Sequence, residues 1–125
     1  KAAYRGQAPH ILRVAGTDLA NIRSGTINEA IEAGDQIVQE IMRDGAKFLG
    51  IALAGTVNLL APDIIILGGG LVEAMPRLYI DEVAKSLAKH VMPSYQKTYE
   101  LKAAKLGDDA GAMGAAAWAR RLIEA

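Results

Sequence analysis

The chain has no cysteine. That excludes a disulfide framework and any zinc site built on thiolates, and it fits a cytoplasmic protein. It also has no excess of charge, because 14 Lys and Arg balance 14 Asp and Glu. With no basic run either, it lacks the electrostatic footprint of a nucleic-acid-binding segment. Aromatic residues are few. Tyr4, Phe48, Tyr79, Tyr95, Tyr99 and Trp118 are too dispersed to form a stacking platform for bases of a nucleic acid. The longest uncharged run, Phe48 to Pro62, contains Thr56 and Asn58. It falls short of the ~20 apolar residues of a membrane span, so a buried helix is expected there and no membrane partner. These residues show no signal-peptide pattern and no Gly-Lys-Ser/Thr phosphate loop. His10 and His90 lie far apart with no ligand spacing around them. They read as surface or satisfied core residues, and no metal site is expected.

Hydrophobic residues make up 51% of the chain, enough for one domain or one lobe of a larger protein. The start, Lys1-Ala2-Ala3-Tyr4-Arg5, reads as the tail of a helix begun upstream and broken by Gly6 and Pro9. Thr17 or Asp18 can cap a short helix ending near Ser24-Gly25. Thr26 and Glu29 fit a capping box for a helix through Ala33, with Gly34 as its stop. Asp35 is placed to cap a long helix from Gln36 to about Leu60, on which Ile37, Ile41, Phe48, Ala52, Leu53, Val57 and Leu60 recur at helical spacing. Ala46, Gly50 and Ala54, four apart, form a smooth stripe suited to close packing by another backbone. Pro62 ends the helix.

Ile64 to Leu67 is short and apolar throughout, the pattern of a central strand covered on both faces. Leu71 to Pro76 is a loop or the beginning of a helix. Leu78 to Val91 is amphipathic, with Tyr79, Ile80, Val83, Ala84, Leu87 and Val91 on one face. Thr98 to Ala104 alternates like a half-covered strand. Gly107 turns the chain, and Asp108 or Asp109 caps a last helix from Ala110 to about Glu124. Its small residues signal close packing, and Trp118 is expected to anchor it in the core. The order is that of an α/β protein, with long helices on a small sheet whose apolar strand is 64–67.

The chemistry concentrates where that strand runs into Gly68-Gly69-Gly70. Ligands of α/β sheets gather at the carboxyl ends of strands, and glycine lets a ligand approach the backbone. A Rossmann fingerprint fails, because Glu73 stands where its third glycine belongs and Ala74 comes one place late. A tight turn with no ligand is the plain structural alternative.

The runs Phe48-Leu49-Gly50-Ile51-Ala52-Leu53-Ala54, Val57-Asn58-Leu59-Leu60-Ala61-Pro62-Asp63 and Ile64-Ile65-Ile66-Leu67-Gly68-Gly69-Gly70 resemble the ROK family of repressors, open reading frames and kinases. Ala33-Gly34-Asp35 and the tail Leu106-Gly107-Asp108-Asp109-Ala110-Gly111-Ala112-Met113-Gly114-Ala115-Ala116 match it in order, so the likeness spans about residues 26–119. The resemblance implies an actin-like ATPase fold of two RNase-H-like lobes. Residues 26–125 would be C-terminal lobe, and residues 1–25 a helical or irregular remnant of what precedes it. It also implies a glucokinase-like parent that uses ATP and Mg to phosphorylate a hexose and self-associates into a homo-oligomer. Gly68, Gly69, Gly70 and Leu71 would lie against the adenosine, and Leu71 to Met75 would shape the adenine pocket. Asn58 is expected to serve the helix end instead.

The family's Asp-x-Gly phosphate loop, its catalytic Asn-Asp pair and its His- and Cys-rich zinc segment are missing from these residues. No catalytic residue is therefore assigned, and the segment alone is expected to be inactive. The alternative parent is a sugar-responsive transcriptional repressor, of which this would be the effector and dimerisation lobe.

Overall fold

A computed structural model describes residues 5–124. The proposed helix end at Ala2 to Arg5 thus falls almost wholly outside the described residues. The elements in order are α1 (Pro9–Ala15), a 3-10 turn (Leu19–Asn21), α2 (Ser24–Glu32), α3 (Gln36–Leu60), β1 (Ile64–Leu67), α4 (Gly70–Ala74), α5 (Pro76–His90), a second 3-10 turn (Pro93–Tyr95), β2 (Glu100–Ala103), a third (Gly107–Asp109) and α6 (Ala110–Ile123).

The centre of the fold is the crossing of α3 and α5. The buried residues of α3 are Ala46, Gly50, Ala54 and Val57. The smooth stripe is thus its inner face, while Ile41 and Phe48 of the bulkier stripe point outward. A Cβ added at Gly50 would stand 2.5 Å from Ser86 Cβ and 2.7 Å from Val83 O. Only glycine admits α5 this closely. The approach lets Ser86 Oγ donate to Lys47 O at 2.7 Å, tying the two backbones together. Lower down, Ala54, Val57, Leu87 and Val91 form the main apolar cluster, with Leu53, Ile65, Tyr95, Tyr99 and Leu101 packed around it. Burial raises the pKa of the Tyr99 phenol there. Asn58 serves the helix end, as its position suggested: its Oδ1 accepts from Met92 N at 2.8 Å, beside the exit of α5.

Strands β1 and β2 pair in parallel, Ile64 opposite Glu100 and Leu67 opposite Ala103. A parallel pair needs a crossover, supplied here by α4 and α5. The double coverage expected of β1 is not found. Ile65 packs on the helices, whereas Ile64 and Ile66 are exposed, Ile66 at 61%. On that open face Ile66 shares a groove with Lys102, Leu106 and Ala110. On β2, Lys102 hydrogen-bonds Glu100, and this contact lowers the Glu100 pKa.

Several expectations about helix ends are corrected. Helix α1 was unforeseen, although Pro9 sits in its first turn, where proline is tolerated. Asp18 does cap, accepting from Ala20 N at 2.9 Å, but only a three-residue turn follows it. Ser24 and Gly25 open α2 instead of ending a helix, so the Thr26–Glu29 capping box does not form. Thr26 Oγ1 donates backward to Asn21 O. Asp35 stands at the start of α3 without capping it. Its carboxylate, 4% exposed, reaches across the fold and accepts from His10 N and Ile11 N at 3.1 Å each. This docks the N-terminus of α1, whose Ile11 joins Ala8 and Ala30 in a second small cluster.

Helix α6 has no buried residue, and Trp118 is 63% exposed. It anchors nothing among the described residues, and a Cβ at Gly111 or Gly114 would meet nothing. Asp108 and Asp109 lie in the preceding 3-10 turn, and no side-chain cap forms at the helix start.

Two stability measurements check this description. Gly50→Ala should cost about 1–3 kcal/mol in urea denaturation through overpacking against α5. Gly55→Ala on the same helix, where a Cβ meets nothing, should gain about 0.5–1 kcal/mol. Equal effects from the two would refute the close contact. Asp35→Ala leaves two α1 amides unpaired and should cost about 1–3 kcal/mol. Amide exchange should speed up first in residues 10–15, and unaltered protection there would show that the carboxylate does not hold α1.

Candidate functional site

Strand β1 delivers the chain to its carboxyl end between α3 and α5. Ala104 N closes the ladder by donating to Leu67 O at 2.7 Å. The backbone then swings through Gly69 at φ +100°, ψ 166°, a conformation side chains rarely adopt. Gly69 O accepts from Val72 N at 3.0 Å and Glu73 N at 3.1 Å, which starts α4.

The three glycines have different physical reasons. A Cβ at Gly70 would stand 2.9 Å from Ser24 Oγ, and one at Gly68 would stand 3.2 Å from Ala104 Cβ. Packing within the chain therefore restricts both positions. At Gly69 an added Cβ would meet nothing within 4 Å. The space over Gly69 is open, so its backbone is accessible to an incoming group.

Beside the turn lies a cavity of about 250 Å³ lined by Leu49, Leu67, Gly68, Gly69, Gly70, Leu71, Val72 and Tyr79. The structure thus brings Gly68, Gly69, Gly70 and Leu71 together. Of the stretch Leu71 to Met75, only Leu71 and Val72 reach this cavity, while Ala74 and Met75 line another groove with Asn28 and Pro76. Leu49 of α3 and Tyr79 of α5 were not anticipated. Tyr79 had been counted in the apolar face of its helix, and its position at the glycine turn depends on the crossing at Gly50, which no local pattern reveals.

The cavity suits a flat, largely apolar group. It has no charged side chain in its lining. Among the described residues no group of three or more His, Asp or Glu could hold a metal ion. The lining of the cavity itself carries no carboxylate that could hold a magnesium ion. The open space over Gly69 leaves room for a ligand group to lie against the backbone of the turn.

The histidines lie elsewhere. His90 Nδ1 donates to Ser86 O at 2.7 Å, a satisfied contact on α5. His10 Nδ1 accepts from Arg13 at 3.0 Å, but its buried Nε2 has no hydrogen-bond partner, with Glu29 Oε2 3.9 Å away. The expectation that both histidines would be satisfied or exposed thus fails at that atom of His10. No described helix is long and apolar enough to cross a membrane.

Comparison with known proteins places these features. The ROK family profile matches residues 6–122. A glucokinase from Thermotoga maritima is 34% identical over 95 residues, which is 76% of this chain and 30% of that protein. A ROK family glucokinase from Streptomyces griseus, solved in complex with glucose and AMPPNP, superposes with a TM-score of 0.77 at 29% identity. The match covers 95% of this chain and 38% of that one. A ROK family transcriptional regulator, a homologue of the E. coli MLC protein, superposes with a TM-score of 0.56 at 24% identity over 81% of this chain and 26% of its own. The matched region spans only 26–30% of the length of two of the curated relatives, both glucokinases. With the profile covering nearly all of its residues, the chain belongs to the ROK family and carries part of the actin-like ATPase fold of that family's sugar kinases.

Proposed function

We propose that this chain forms the nucleotide-facing wall of a glucokinase-like sugar kinase, which passes the γ-phosphoryl group of ATP to a hexose hydroxyl. The observation that carries the reading is the likeness to the Streptomyces griseus glucokinase over 95% of the chain, with the strand and its glycine turn intact. In that role the backbone at Gly68 to Gly70 receives the adenosine, with Leu71 beside it. Phosphoryl transfer also needs groups that hold the phosphates, the metal and the attacking hydroxyl in line. A longer chain would supply them, along with the contacts that read the sugar, and the parent would work in the cytoplasm as a homo-oligomer. The segment by itself would turn nothing over, since half a cleft buries too little of either substrate.

The regulator's likeness, at 24% identity, shows a shared fold. It does not favour a repressor over a kinase.

A full-length protein carrying this segment should phosphorylate at least one member of a hexose panel, N-acetylated sugars included, with ATP as donor. The 125-residue segment should not. Sugar binding without turnover by the full-length protein would move the reading to a repressor, and turnover by the segment would overturn its assignment as a partial site. In the active protein, Gly69→Val should raise the KM for ATP by about tenfold or more and leave that for the sugar within about twofold, because a β-branched residue is strained at φ +100°. An unchanged ATP KM would make the turn merely structural.

A further inference from the structure

We propose that Tyr79 is the stacking platform for the purine base of the nucleotide, with Leu49 as the opposing wall; this rests on the nucleotide reading above. The cavity beside the glycine turn is lined almost wholly by glycine backbone and apolar side chains. Its lining is backbone glycine, the aliphatic side chains of Leu49, Leu67, Leu71 and Val72, and one aromatic ring, that of Tyr79. A phosphate group would call for cations or converging donors, and a hexose for several polar side chains. Neither is present. A purine base is flat, uncharged and apolar on both faces, and it gains most from a ring to lie on. The volume, about 250 Å³, lies just under the ~300–1,000 Å³ of complete ligand pockets. It suits the base end of a nucleotide better than the whole molecule.

Leu49 and Tyr79 stand on two helices that are packed tightly together beside the cavity. Leu49 immediately precedes Gly50, and Tyr79 lies one helical turn before Val83. Gly50 and Val83 meet at the tightest point of the α3–α5 crossing, where a Cβ on Gly50 would come within 2.7 Å of Val83 O. The ring and the leucine thus project from two helices locked together one residue and one turn away. Tyr79 N also donates to Met75 O at 3.0 Å, which holds the start of α5 in register. Both residues are only partly buried, so a ligand can reach them. The third side is the turn itself, open above Gly69.

The test uses the full-length kinase and its Tyr79 variants, with steady-state kinetics in ATP and in the sugar. Tyr79→Ala should raise the KM for ATP about ten- to hundredfold, the range expected for loss of one base–aromatic stack, with the sugar KM within about twofold. Tyr79→Phe, which keeps the ring, should restore most of that loss. Tyr79→Trp should give a fluorescence that AMPPNP quenches and the sugar alone does not, measured against the wild-type signal of Trp118. This variant keeps the question open to test should Tyr79→Ala fold poorly. If Gly69→Val raises the ATP KM while Tyr79→Ala and the tryptophan signal stay unmoved, the stacking role is wrong and the nucleotide reading stands. If neither variant moves the ATP KM, both are wrong.

Discussion

The rest of the structure depends on one steric constraint, the absence of a side chain at Gly50. Two helices of 25 and 15 residues meet there at a distance that even a methyl group would forbid. The close approach aligns Ser86 with a backbone carbonyl and brings Val57, Ala54, Leu87 and Val91 into one cluster. It also fixes where β1 can run, because Ile65 packs against that cluster. The glycine turn is therefore placed by a contact that lies outside the turn. A helix glycine costs about 1 kcal/mol of intrinsic propensity against alanine, and dispersion along the crossing offsets it.

Legibility in the sequence followed the range of the interactions. The long helix, both strands, α5 and α6 could be read from periodicity and from Pro62, Gly34 and Gly107, because these signals are local. The small-residue stripe on α3 was readable for the same reason, and it identified the inner face better than the bulkier residues did. The unread features are long-range. Asp35 carries a cap signature for the helix that follows it, yet its carboxylate is drawn to the N-terminal amides of α1, 24 and 25 positions away. Nothing in the local pattern distinguishes those two outcomes. Trp118 and the strand residues Ile64 and Ile66 have the composition of core, and they stand exposed among the described residues. Hydrophobicity says that a surface wants to be covered; it does not say by what.

The candidate site was half legible. Gly68, Gly69, Gly70 and Leu71 could be named because a strand ending in glycines is a local motif. Leu49 and Tyr79 could not, since they come from helices whose crossing had to be known first. The glycines also show why composition alone is an ambiguous guide. A side chain at Gly70 would crowd Ser24 and one at Gly68 would crowd Ala104, so packing alone gives a reason for these two glycines. Only Gly69 combines an unusual backbone conformation with free space in front of it.

The parallel pairing of β1 and β2 has a consequence for how the chain acquires its shape. A hairpin can zip from its turn, but these strands are separated by the whole of α4 and α5. Their ladder is therefore a non-local pairing, joined only across that crossover. An unpaired β1 would present its polar backbone together with Ile64 and Ile66, the kind of edge that recruits a strand from a neighbouring molecule. Pairing with β2 within the chain occupies one edge of β1 that a neighbouring strand could otherwise take.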